Sequence, residues 1–255
     1  MSKLTDEEKQ LLYIEVCPIA QEYRRSFISD NEVINDTFGC IERLGFLLLR
    51  FPAAGKDSSL SGFTIHKEPY DCIYINSRQS VGRQYTSCWH EVYHIVTGHS
   101  NGISYINEIK QDPVECKADM FASCILMPEH LVSQYIESHN LNLQYLSYVD
   151  IIKMQNYFKV SYSAMLTRIL QLYPDYKNIL ANRYAIASDT EERRNQMQQK
   201  VAEAGGDIRL VMPSNDVYFP QSYVEDIEYN LNNGRISKEK ALEMLSTLER
   251  LGNVL

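Results

Sequence analysis

The chain has 255 residues, 44% of them hydrophobic and 23% charged, the balance of a soluble globular protein with room for one good core and a smaller appendage. Its net charge of −8 argues against a general nucleic-acid binder, which would carry a basic surface. No run approaches 18 apolar residues and Met1 to Gln10 is polar and charged, so neither a membrane span nor an export leader is expected and the chain reads as cytoplasmic. The six cysteines (Cys17, Cys40, Cys72, Cys88, Cys116, Cys124) show no C-x-x-C pair and lie mostly in apolar contexts, which fits reduced thiols better than a disulfide framework.

Thr5 to about Ser29 reads as a first helix, opened by a Thr5–Glu8 capping box. Its apolar stripe is Leu11, Leu12, Ile14, Val16 and Ile19, and Pro18 is a point of kinking. A second helix is expected over Glu32 to Leu44, ending at Gly45. Phe46–Phe51, Gly62–His66 and Cys72–Asn76 are strand candidates, with turns at Lys56–Ser59 and Glu68–Pro69. These strands make a small antiparallel sheet, to whose edge a peptide can add as an extra strand. His66 closes one strand alternation and reads as a surface residue.

Next comes His90-Glu91-Val92-Tyr93-His94, an H-E-x-x-H pattern within a helical stretch. Side chains four apart share a helix face, so His90 and His94 can hold one metal ion. Glu91 follows the first histidine by one position and points to the side, where it can act as base toward a water at the metal without ligating it. Gly98 and His99 each miss by one position the register that would make His99 a third histidine ligand. They read instead as a helix end.

Asp112 and Pro113 then signal a helix start, Asp as N-cap and Pro at the first helical position. Ala118, Phe121, Ala122, Ile125 and Leu126 recur at helical spacing as an inward face. Glu115 and Asp119 lie one turn apart on this helix. Glu115 supplies the third ligand that a two-histidine site needs, and Asp119 accepts the distal N–H of a ligand histidine and fixes its tautomer. Cys88 and Cys116 lack the offset to join the two histidines and read as small buried thiols.

Several short motifs now stand in order: Arg83-Gln84-Tyr85-Thr86, His90 to His94, Glu115 with Ala118-Asp119 and Phe121-Ala122, and Leu126-Met127-Pro128. From about Leu44 to Leu172 the chain resembles the ImmA/IrrE family of bacterial and phage metallo-endopeptidases. It departs from that pattern at Tyr85, where phenylalanine is usual, and at Tyr93, where a small residue is usual and a bulky ring narrows the expected cleft. The resemblance implies that the sheet borders the active site. It also implies a protein substrate, often a helix-turn-helix transcriptional repressor of a mobile element or stress response.

Beyond Pro128, His130 and His139 fall in a polar helix and read as solvated. Asn140 to Pro174 resembles a helix-turn-helix around Val160-Ser161, but its apolar positions are those of packing. Only Lys159 and Arg168 could reach phosphates there, so direct nucleic-acid binding is not expected. Past Tyr184 the composition shifts: a charged helix over Thr190–Ala204, a break at Gly205-Gly206, a strand candidate at Ile208–Met212, then short helices over Pro220–Leu231 and Ser237–Leu251. The expected organisation is a peptidase domain over residues 1–184 and a helical accessory module over 185–255.

The sequence thus predicts an α+β, mainly helical zinc-dependent endopeptidase. His90, His94 and Glu115 are the metal ligands, Glu91 the base and Asp119 the orienting carboxylate. The ligand set also accepts Mn²⁺ or Fe²⁺. Two other readings stand beside it: a metal-bearing module that regulates a repressor by contact without cutting, and a helical structural protein with no metal. The sequence leaves the oligomeric state open.

Overall fold

The computed structural model describes residues 4–53, 60–67, 70–98, 103–105, 112–187 and 190–252. The expected turns at 56–59 and 68–69, and His99, lie outside them.

α1 (Asp6–Phe27) starts at the anticipated capping box: Thr5 accepts from the Glu8 N–H, and the Glu8 carboxylate accepts from the Thr5 N–H at 2.7 Å. Its buried stripe is Val16, Ala20 and Arg24. Those residues repeat every fourth position and share a face, whereas Leu11 and Ile14 of the expected stripe turn to solvent. α2 (Thr37–Arg43) begins five residues later than the Glu32 start, because Asp36 is its cap, accepting from the Gly39 N–H at 3.0 Å.

The strands are β1 (Leu47–Phe51), β2 (Leu60–Lys67), β3 (Tyr70–Asn76) and β4 (Ile103–Tyr105), in the spatial order β1-β3-β2-β4. β2 pairs antiparallel with both β3 and β4, but β1 runs parallel to β3, so the sheet is mixed and not wholly antiparallel. The β2–β3 hairpin sets the antiparallel core, and β1 enters on its far side in the direction of β3. β4 went unanticipated; three residues are too few to show an alternation.

α3 (Val81–Val96) lies across β2 and β3 and packs against α4 (Pro113–Leu126), which in turn packs on α1. Trp89 from α3 and Phe121, Ile125 and Leu126 from α4 are fully buried at this junction. Each contributes roughly 1.5–3 kcal/mol relative to an exposed side chain. The expected inward face of α4 is borne out, with Ala118, Phe121, Ala122, Ile125 and Leu126 all at 0% exposure.

α5 (Glu129–Ser138), α6 (Tyr148–Phe158) and α7 (Tyr162–Leu172) continue the core. Between α6 and α7, Lys159 adopts a left-handed φ of 57° and Ser161 caps the next helix. Arg168 does not face outward: it is fully buried, and its Nε donates to the Met127 carbonyl at 2.9 Å.

α8 (Lys177–Leu180) is a single turn, and α9 (Glu191–Glu203) packs on α6. Residues 208–211, expected as part of a strand, form a 3-10 turn instead. Asp207 caps that turn through its side chain, satisfying the Arg209 N–H that a strand would have paired. The chain then runs along the free edge of β1, where Arg50 and Tyr218 exchange two backbone hydrogen bonds. The Arg50 guanidinium pairs with Asp216 at 2.8 Å and lies over the Phe38 ring at 3.8 Å. An aromatic series, Phe63–Tyr74–Phe51–Phe219–Tyr223, with centroids 4.4–6.2 Å apart, leads from β2 to α10 (Gln221–Asn232). α10 packs on α11 (Lys238–Gly252). No helix among the described residues is long and apolar enough to cross a membrane.

Candidate metal centre

His90 and His94 project from one face of α3, one turn apart, with imidazole centroids 5.0 Å apart. α3 ends two residues beyond His94, and Gly98, at φ +72°, turns the chain away in a conformation that a side chain would strain. Across the junction, Asp112 caps α4 by accepting from the Val114 N–H at 2.8 Å, with Pro113 opening the helix. That start puts Glu115 in the first turn of α4, facing the two rings, and Asp119 one turn further on.

The three groups converge. His90 Nε2 lies 3.1 Å from Glu115 Oε2, His94 Nε2 lies 3.3 Å from Glu115 Oε1, and the two Nε2 atoms are 3.2 Å apart. Ligands about 2.0–2.1 Å from a tetrahedral ion stand about 3.3 Å from one another. The triad therefore fits a small divalent cation. Among the described residues it is the one cluster of His, Cys, Asp and Glu side chains with metal-ligand spacing. Asp119 sits where the sequence placed it: the His90 Nδ1–H donates to Asp119 Oδ1 at 2.9 Å, leaving the Nε2 lone pair turned toward the cluster.

Two lone pairs and a carboxylate facing inward repel unless a positive charge sits among them. In the metal-free protein a proton supplies it. Burial acts against the charged imidazole, but hydrogen bonds to Asp119 and Glu115 prevail and push His90 up to about 10. Glu115 shows the reciprocal effect: desolvation raises it, and the two histidines outweigh that and hold it at about 2. The site thus carries a strong preference for cations.

Glu91 is fully buried beside the triad, on the side of α3 that meets the sheet. The backbone of β2 passes close to it: a Cβ at Gly62 would lie 3.2 Å from Glu91 Oε1 and 2.6 Å from the Tyr74 carbonyl oxygen. Gly62 therefore leaves the space that the carboxylate uses, a role the sequence reading missed. The signal was present, since a glycine within a strand pattern marks a bulge or a close approach, and the β2–β4 register shifts between Leu60 and Gly62. Tyr93 packs into the core beside the site. Its ring is buried, 5.5 Å from Phe121 and edge-on to His94 at 6.0 Å, so it buttresses the histidine from behind.

The other described histidines stay out of the centre. His66 is half-exposed and pairs with Asp71 at 2.6 Å, His130 meets the Asp30 carbonyl oxygen, and His139 stacks on Tyr135 at the end of α5. Cys88 and Cys116 are buried free thiols, as expected.

Among known families, the chain matches the M78 peptidase model, described as an IrrE N-terminal-like domain, over residues 41–170. That span holds the whole sheet, α3, α4 and the triad. No curated protein matches the chain.

Proposed function

The chain belongs to the M78 peptidase family of IrrE N-terminal-like domains, and from that premise we propose that it is a zinc-dependent endopeptidase acting on a regulatory protein such as a transcriptional repressor. The observation that carries this reading is the convergence of His90, His94 and Glu115 at 3.1–3.3 Å with buried Glu91 alongside. Two imidazoles and one carboxylate are a recognised zinc set that leaves a coordination position open.

A divalent ion held by His90, His94 and Glu115 would polarise the scissile carbonyl and lower the pKa of water toward about 7. The protein's residues do the rest. Asp119 holds the His90 ring in the tautomer that offers Nε2. Glu91, shielded from solvent, takes the proton of the attacking water and returns it to the leaving amine. Gly62 keeps the β2 backbone close enough to fix the Glu91 carboxylate, and the adjoining strands offer backbone donors and acceptors to an extended substrate.

The test pairs activity with metal content. Wild type, incubated with a repressor encoded beside it, yields fragments. Glu91→Gln retains its metal but cleaves about 10²–10⁴-fold more slowly. Metal retained in both proteins with cleavage by neither would instead support a module that regulates by contact.

A further inference from the structure

α1 carries apolar side chains on two opposite sides. Val16 and Ala20, with Arg24, form the side that meets the core and α4. Leu11, Ile14 and Pro18 follow one another at three- and four-residue spacing on the side turned away from it, and all three are exposed, Leu11 at 68% and Ile14 at 60%. A helix that packs on its own core alone turns its polar side outward. Here the outward side is apolar at its centre and charged at its ends.

Continued at the same spacing, the outward stripe begins at Glu7, one turn before Leu11, and ends at Arg25, two turns beyond Pro18. Both are exposed, and the Arg25 guanidinium is held loosely, 3.8 Å from Glu22 and 3.6 Å from Asp30. Such a stripe complements itself. Two copies of α1 laid antiparallel about an axis level with Val16 set Ile14 opposite Pro18 of the partner subunit and Leu11 opposite Gln21 of the partner subunit. The same axis sets Glu7 opposite Arg25 of the partner subunit. Each contact occurs twice, as a two-fold axis requires. Sliding the helices by about one turn brings Glu7 against Glu22 of the partner subunit, and a parallel pairing sets like charges together at both ends. The charges therefore select one register.

We propose that a second copy of this chain covers the stripe, giving a two-fold dimer through antiparallel α1 helices. The seam lies on the side of α1 away from α4, so the helix that carries Glu115 and Asp119 takes no part in it. The Lys117–Glu15 ion pair, at 2.6 Å, ties α1 to α4 at the border of the stripe and holds the helix in place for its partner. One helix face per copy is a small seam, below the roughly 1,200–2,000 Å² buried in a stable complex. The dimer is therefore weak, and its population rises with protein concentration.

The experiment is sedimentation equilibrium on the full chain at rising concentration. The average mass of the wild type should climb from the 29.5 kDa of one chain toward twice that value. Ile14→Asp, at an exposed position, should hold the mass of one chain throughout while melting as the wild type does. Glu7→Arg sets arginine against arginine at both ends of the seam and should weaken association about tenfold. The double variant Glu7→Arg/Arg25→Glu exchanges the two signs and should restore it, which a contact in any other register would not do. A wild type that stays at the mass of one chain, an assembly larger than two copies, association that survives Ile14→Asp, or a double variant no tighter than Glu7→Arg overturns the proposal. The wild-type measurement needs no variant to fold.

Discussion

The α3–α4 junction and the α10–α11 hairpin stand at opposite ends of how tightly a sequence can specify a structure. At the junction, the side chains of the candidate site answer to neighbours on another element: His90 to Asp119 and Glu115, His94 to Glu115, and Glu91 to the space left by Gly62 of β2. Fully buried Trp89 and Phe121 hold the two helices in register beneath them. In the hairpin, Ile227 and Ala241 are buried, while Val224, Tyr229 and Leu242 are exposed on helices that pack chiefly on each other. A buried polar cluster tolerates few changes, because removing one partner leaves another charged or desolvated. A two-helix hairpin tolerates many.

The comparison can be broken most sharply at Gly62. Gly62→Ala introduces a methyl 2.6 Å from the Tyr74 carbonyl oxygen and 3.2 Å from Glu91 Oε1, so the β2 backbone and the carboxylate beside it must give way. Displacing a catalytic group by about 1 Å costs about 10²-fold in rate. Cleavage assays should show that loss while bound metal, measured by mass spectrometry, is retained. Asp119→Asn comes next. It weakens the acceptor that orients His90, and competition with a chelator should show metal affinity reduced about 10- to 100-fold.

The charge balance of the triad gives a third test, in the stability of the protein stripped of metal by chelator. His90 has its folded pKa raised from 6.5 to about 10, so its contribution is complete below pH 6.5 and is lost as pH rises toward 10. Glu115 has its pKa lowered from 4.5 to about 2, so its contribution is present above pH 4.5 and is lost as pH falls toward 2. Thermal unfolding in chelator should therefore show these two groups acting together between pH 4.5 and 6.5, with their stabilisation declining on the alkaline side. Metal binding runs the other way, since it displaces the proton and strengthens as pH rises. The smallest effect belongs to the hairpin. Leu242→Ser, at a position 57% exposed, should shift stability by no more than about 0.5 kcal/mol in denaturant unfolding.

Much of the metal centre was legible because it is written in local spacing. His90 and His94 four apart, and Glu115 and Asp119 four apart after an Asp-Pro start, are statements about helix faces, and both helices formed as read. What pattern could not supply was contact between distant segments. The closeness of Gly62 to Glu91 depends on how β2 crosses α3, and the burial of Tyr93 depends on Phe121 across the helix pair. The parallel pairing of β1 with β3 is likewise a property of the sheet and not of any strand. At 208–211 the apolar run suggested a strand, but the Asp207 cap decided for a turn. The late start of α2 was decided in the same way by Asp36.

The most direct measurement of the central claim is metal stoichiometry by plasma mass spectrometry on purified wild type and Glu115→Gln. One equivalent of a divalent transition metal in the wild type and a large loss in the variant is the predicted result. Wild type without metal, or Glu115→Gln holding a full equivalent, would contradict it.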